Sequence, residues 1–66
     1  MRKIYGVSSK FNFGEWEHVV YVFDNKELAN EWLDTEEYDF RERELMTKTN
    51  AIKLVGKKLV DNAIIM

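Results

Sequence analysis

Few residues of this 66-residue chain belong to the types that carry out catalysis or bind metals. It has one histidine, His18, and no cysteine, so thiolate metal sites and sites built from several histidines are excluded. A histidine base needs an orienting partner and a nucleophile, and the only nearby candidates are Ser8 and Ser9 on the neighbouring predicted strand. Their context is not that of a nucleophile elbow. We therefore predict a structural or surface role for His18, with no catalytic residue, no metal and no cofactor.

Charged residues fall into three blocks along the chain. Residues 1–14 carry a net charge of +3, residues 15–44 carry −8 and residues 45–66 carry +3. One interpretation is that the blocks lie beside one another and neutralise each other. The alternatives are an acidic surface that docks onto a basic groove of another protein by mimicking phosphates, or a basic surface that docks a phosphate. The pI of about 5.3 and the absence of a basic stripe argue against direct nucleic-acid binding.

The most distinctive local string, Tyr38 to Arg43, combines aromatic and arginine side chains. Arginine offers a planar fork for carboxylate or phosphate, and aromatic rings offer stacking platforms for a base. The string is thus a candidate site for a nucleotide-like ligand. Alternatively, its arginines pair with the surrounding acids. Together with residues just before the string, the candidate binding residues are Trp32, Glu36, Glu37, Tyr38, Asp39, Arg41 and Arg43.

The elements that position these residues begin with an antiparallel β-hairpin over residues 3–23. Strands over 3–11 and 16–23 flank a turn in which Gly14 can adopt a positive φ. Both faces of the second strand are largely apolar, which predicts that it is covered on both sides. Both tryptophans are predicted to be in the core, with a half-exposed interface anchor as the alternative for one of them. Alternation puts four side chains of the second strand on one face: Trp16, His18, Val20 and Val22.

Helices are predicted at about 25–34, 36–47 and 50–60. Asp24 and Glu27 fit a capping box at the start of the first helix. The second helix is favoured by its content of glutamate and arginine, although a strand over 40–49 is the alternative because it contains two threonines. Gly56 weakens the third helix. Apolar residues also recur every seven positions along this part of the chain, at Tyr38, Leu45, Ile52, Leu59 and Met66.

The chain as a whole is predicted to be one compact α+β domain over residues 1–66. The hairpin packs on two or three helices, and the apolar residues 63–66 form a final strand or an oligomer contact. No apolar run reaches the ~18 residues of a membrane span, and no apolar region follows the basic N-terminus as in a signal peptide. We therefore predict a cytoplasmic protein without membrane contact. A core of this size leaves only about 3–5 kcal/mol, so a homo-oligomer stays open beside a monomer.

In layout the chain resembles small accessory proteins of phages and prophages. The resemblance rests on a tyrosine-rich hairpin followed by an acidic helix, and on the string from Trp32 to Arg43. It implies inhibition of a host defence protein, by occupying a nucleic-acid-binding groove or by sequestering a signalling nucleotide. Our leading hypothesis is a non-enzymatic inhibitor that blocks a host protein through an acidic, aromatic-bearing surface. The alternative is a small oligomeric binder of a nucleotide-like ligand near Tyr38, Arg41 and Arg43.

Overall fold

The computed structural model describes residues 3–34 and 42–66, which form a four-stranded sheet with helices on both faces. The strand order is β3-β1-β2-β4; β4 runs parallel to β2, and the other pairs are antiparallel. The predicted α+β class, the N-terminal hairpin and the C-terminal strand are confirmed. In chain order the elements are β1 (Ile4–Asn12), β2 (Glu15–Phe23), α1 (Lys26–Asp34), β3 (Glu42–Met46), α2 (Lys48–Val55), α3 (Lys57–Asp61) and β4 (Ile64–Ile65).

A two-residue turn joins β1 to β2 and fixes the register of the hairpin. Phe13 and Gly14 have φ angles of 50° and 83°, and Asn12 pairs with Glu15 directly beside them. Positive φ at both central positions is the signature of a type I′ turn, whose twist matches that of the flanking strands. The predicted turn and the positive φ of Gly14 are confirmed, whereas the positive φ of Phe13 is a feature that the sequence analysis did not predict.

One face of the sheet packs on α2 and α3, and we call it the groove face. Its core joins side chains of β1 and β2 to one residue of each helix, with Ala51 on α2 and Val60 on α3. This core lies at the end of the sheet away from the turn. The strand residues of this core are Tyr5, Val7, Val20 and Val22.

The opposite face of the sheet packs on α1, and we call it the α1 face. Ala29 of α1 is fully buried, as is Phe23 of β2. The Trp32 ring lies over the sheet with its centroid 5.4 Å from that of Tyr21 and 5.5 Å from that of Phe23. Helices therefore cover both faces of β2 only at the end away from the turn, whereas Glu15, Trp16 and Glu17 are exposed, so the prediction of a strand covered on both sides holds for part of its length.

Helix α1 confirms the prediction for residues 25–34, but its N-cap differs from the predicted one. Asn25 caps the helix: its side-chain oxygen accepts a hydrogen bond from the Glu27 amide at 2.8 Å, and its carbonyl accepts the bond from Ala29 at 3.1 Å. Asp24 therefore precedes the cap. Either residue type serves as an N-cap, so the tertiary position of the helix decides which one does.

The helix predicted over 36–47 is wrong for residues 42–46, which form β3. Residues 36–41 lie outside the described part of the chain. Strand β3 pairs antiparallel with β1, from Tyr5 opposite Met46 to Ser9 opposite Glu42. The backbone amides and carbonyls along this edge of β1 need hydrogen-bond partners. The hydrogen bonds that β3 provides outweigh its preference for a helix, which amounts to only tenths of a kcal/mol per residue.

The predicted third helix, 50–60, is present as two shorter helices separated by Gly56. This residue has a φ of 95° and ends α2 by donating its amide to the Ile52 carbonyl. Thr47 caps the start of α2, where its side-chain oxygen accepts a hydrogen bond from the Asn50 amide. The break lets each helix contribute one buried residue to the same core.

Candidate functional site

Beyond the core, the turn end of the hairpin carries aromatic side chains that none of the helices α1, α2 and α3 covers. Phe11, Phe13 and Trp16 are 58%, 100% and 51% exposed. The Phe11 and Trp16 rings are tilted at 55° with centroids 5.4 Å apart, and the indole stacks on His18 at 6.4 Å with an interplanar angle of 9°. The prediction that both tryptophans lie in the core is therefore wrong for Trp16, which fits the alternative of a half-exposed anchor.

Phe13 combines full exposure with an unfavourable backbone conformation. Its φ of 50° lies in the left-handed region, which costs a non-glycine residue about 1–2 kcal/mol. Type I′ turns strongly prefer Asn-Gly, Asp-Gly or Gly-Gly at these positions. A bulky aromatic residue here loses backbone stability and gains no burial. Strain of this kind, at a residue that adds nothing to the core, points to a role outside folding.

A groove of about 530 Å³ opens on the groove face between the aromatic residues and α2. Leu54 of α2, which is 54% exposed, forms one wall of the groove. The carboxylates of Glu42 and Glu44 on β3 line one side of it, and β2 lies on the other side. Together the groove and the aromatic end form a surface that we call the hairpin surface. It comprises Phe11, Phe13, Trp16, His18, Glu42 and Glu44. The other residues lining the groove are Val7, Ser9, Arg43 and Leu54.

The floor of the groove contains three polar residues that the strand register places side by side, one on each of β2, β1 and β3. Ser9 pairs with His18 on one side and with Glu42 on the other. The Ser9 hydroxyl lies 2.7 Å from Nδ1 of His18, within hydrogen-bonding distance. Ser8, the other candidate, is buried and belongs to the opposite face. The contact with Ser9 orients the imidazole. The prediction that His18 has no catalytic role stays a prediction.

The carboxylates of Glu42 and Glu44 make the groove acidic. They are two residues apart on one strand, so both side chains lie on the groove face. Neither makes a hydrogen bond or an ion pair within 3–34 and 42–66. A carboxylate pair suits a cationic side chain, which can form charge-assisted hydrogen bonds with it. Within the same residues, no three metal-binding side chains come close enough to hold a metal.

Of the site residues predicted from the sequence, the structure describes Trp32 and Arg43, and it brings them together. Arg43 donates from Nη1 to the Trp32 carbonyl at 2.8 Å, and its guanidinium lies 5.4 Å from the indole centroid. Both residues therefore help attach α1 to the sheet. The other predicted site residues lie outside the described part of the chain: Glu36, Glu37, Tyr38, Asp39 and Arg41.

Sequence reasoning missed Phe11 and Phe13 as candidate binding residues, although a signal for Phe11 was present. With the turn placed at Gly14, the register of the hairpin sets Phe11 opposite Trp16 on the same face. Counting back from the turn would therefore have predicted an aromatic pair. No sequence pattern pointed to Phe13, because what distinguishes it is a positive φ angle, which the structure shows and the residue type does not predict.

The opposite end of the sheet carries a second, wider concavity with a basic lining. Its lysines come from three separate segments and are joined there by polar residues of α1 and the β3–α2 connection. Among residues 3–34 and 42–66, the groove is thus lined by two carboxylates and the wider concavity by three lysines. The lysines are Lys3, Lys26 and Lys48.

Comparisons with protein-family models, curated proteins and solved structures found no match for this chain. None of the helices within residues 3–34 and 42–66 has the length and apolar character needed to cross a membrane.

Proposed function

We propose that this protein is a non-enzymatic binding protein whose hairpin surface docks onto a basic surface of a partner protein. Phe13 carries the proposal: it is fully exposed and sits at a turn position where its backbone is strained. Exposed aromatic residues are the commonest anchors of protein interfaces. By occupying a basic, nucleic-acid-binding groove, such a protein would inhibit its partner, as the phage-type resemblance implies.

The charge of the hairpin surface supports a basic partner. Glu42 and Glu44 have no partner among the described residues and line the same groove as Trp16, with β1 between them and the indole. An arginine or lysine of the partner would meet the carboxylates in that groove. A lipid surface fits less well, because carboxylates repel anionic headgroups and resist burial in an interface.

The decisive variant is Phe13→Asn, because it separates binding from folding. Asparagine tolerates a positive φ, so we expect the free energy of unfolding to rise by about 0.5–1 kcal/mol. We expect the same change to weaken binding at least fivefold, because the anchor is lost. Urea unfolding measures stability, and calorimetric titration measures binding to a seven-residue peptide in which arginine alternates with valine.

Matched controls distinguish the hairpin surface from net charge and from general apolarity. The double variant Glu42→Gln, Glu44→Gln should weaken peptide binding, whereas Glu27→Gln, Asp34→Asn removes the same charge on α1 and should not. Leu28→Asn removes an exposed apolar residue of α1 and should also leave binding unchanged. Equal effects of both charge pairs, or partition of the protein into phosphatidylcholine–phosphatidylglycerol vesicles through Phe13, would contradict the proposal.

The acidic pair Glu36 and Glu37 offers a competing location for the binding surface. If the acidic segment predicted from the sequence is the docking site, charge reversal at both residues abolishes binding of the peptide. We expect a smaller loss than for the Glu42 and Glu44 variant, because the anchor residues belong to the hairpin. The opposite order of effects would move the site to the Trp32–Arg43 segment.

A further inference from the structure

The outer edge of β2 is unpaired over most of its length within residues 3–34 and 42–66. Strand β4 pairs only with Tyr21 and Val22. From Glu15 to Val20 no described strand lies on that side, although β1 pairs along the whole of the other side. An open edge of this length is long enough to accept another strand.

The register of the hairpin determines which backbone groups point to this edge. In a hairpin with a two-residue turn, the residues flanking the turn form a hydrogen-bonded pair, and such pairs recur at every second residue. Glu15, Glu17 and Val19 therefore direct their amides and carbonyls to β1. Trp16 and His18 direct theirs outward. The same alternation continues to Val22, whose carbonyl accepts the Met66 amide at 3.0 Å on the outer side.

This edge already accepts a strand in the structure, since the last residues of the chain add to it in parallel. The usual devices that block strand addition are charged side chains, lysine above all, proline or a bulge on the edge. Residues 15–20 contain neither lysine nor proline, their pairing with β1 has no bulge, and their charges are the two acids Glu15 and Glu17, which repel an acidic strand and attract a basic one. The open part of the edge is therefore competent for pairing.

We propose that the outer edge of β2 binds an extended segment of the partner protein as an added strand, with basic and apolar side chains in alternation. The charges of the residues along this edge favour a basic segment of the partner. Glu15 and Glu17 are exposed on the α1 face and would meet basic side chains, while the half-exposed Trp16 on the groove face would meet apolar ones. A second copy of β2 fits less well, because its own acids would enter the same edge.

This inference rests on the proposed function, a basic partner, and adds how the backbone of the partner is held. The basic side chains of the added strand meet Glu15 and Glu17, so Glu42 and Glu44, on the groove face beyond β1, attract the partner at longer range or meet a basic residue outside the strand. Main-chain hydrogen bonds to Trp16 and His18 supply affinity and direction, and alternate side chains supply specificity. The strand places its apolar face next to the indole, in continuity with the anchors of the hairpin surface.

Backbone methylation of the same arginine–valine peptide tests the inference. Two further peptides carry N-methyl groups on all arginines or on all valines. In an extended strand the arginine amides all point to one side and the valine amides to the other, so only one set faces β2. Methylation of that set should abolish binding, and methylation of the other set should be tolerated. Hydrogen exchange provides a second measurement: the unmodified peptide should slow exchange of the Trp16 and His18 amides at least tenfold.

The amides of Glu17 and Val19 serve as internal controls, because they are bonded to β1 with or without the peptide. Peptide binding with equal effects of both methylated sets, or without slower exchange at Trp16 and His18, overturns strand addition and leaves the proposed function standing. Failure of the unmodified peptide to bind at all overturns both. Slow exchange at Trp16 and His18 without peptide, together with a doubled mass by light scattering, also overturns the inference, because a second copy then occupies the edge.

Discussion

At the scale of single residues, the α1 face depends on the absence of a side chain at Gly6. A Cβ atom built there would lie 2.7 Å from Cζ3 of Trp32 and 3.0 Å from Cε2 of Phe23. Ordinary contacts of a Cβ atom are longer than 3.4 Å. The small residue therefore allows the indole to approach the backbone of β1 and the rings of β2.

We expect Gly6→Ala to lower the free energy of unfolding by about 1–3 kcal/mol, as overpacking of a core generally does. The Trp32 ring would have to move, and its movement would also disturb the contact with Arg43. Urea unfolding of the single variant and of Gly6→Ala combined with Trp32→Phe measures the coupling. The smaller ring should recover part of the loss. A neutral effect of Gly6→Ala alone would contradict the packing described for this face.

At the scale of elements, the start of α2 is fixed by a single side chain. Thr47 has an extended backbone, and its hydroxyl oxygen accepts the Asn50 amide at 3.2 Å. The helix has eight residues, and helices this short are unstable without tertiary contacts and caps. The position of α2 in turn sets Leu54 as one wall of the groove.

Thr47→Ala is expected to destabilise the protein by about 1 kcal/mol, because the Asn50 amide loses its partner. Thr49→Ala is the matched control, since it makes the same chemical change inside the exposed helix, where alanine is favoured. Thermal unfolding followed by circular dichroism compares the two. Equal melting temperatures would show that the cap contributes nothing.

At the scale of the whole molecule, charge is separated along the sheet. The hairpin end presents Glu42 and Glu44 in the groove, whereas the opposite end presents three lysines in the wider concavity. If the described residues dominate the field, a partner with a basic surface is attracted to the groove and repelled by the wider concavity. Opposite charges at two sites of one molecule orient an encounter before contacts form.

Affinity for the arginine–valine peptide should fall severalfold between about 50 mM and 500 mM salt, because the screening length shortens from above 10 Å to a few ångströms. The Glu42→Gln, Glu44→Gln variant should lose part of this dependence, because Glu15 and Glu17 remain, while the control variant of Glu27 and Asp34 should keep all of it. Calorimetric titration at three salt concentrations measures the slopes. A salt-independent affinity of the unaltered protein would mean that its carboxylates do not attract the peptide.

The sequence by itself determined the hairpin, its turn at Gly14, helix α1 and the α+β class. These features depend on local signals: alternation of side chains, a residue that tolerates positive φ and a polar cap before an apolar stripe. Local signals could not decide the state of residues 42–46, because glutamate and arginine favour a helix by only tenths of a kcal/mol per residue. The unpaired edge of β1, formed by residues far away in sequence, made them a strand.

The candidate site also has some features that local sequence signals predict and others that only the tertiary structure decides. Alternation placed Trp16 and His18 on one face, as the structure has them. The acidic, aromatic surface predicted from the sequence was the segment from Trp32 to Arg43, most of which lies outside the described residues, and it stays a prediction. Only the tertiary structure decided that Arg43 and Trp32 bind each other, that Trp16 stays half exposed and that Phe13 is strained at the tip of the hairpin. Exposure depends on where the helices stop covering the sheet, and that limit is set by long-range packing that no single segment of the chain encodes.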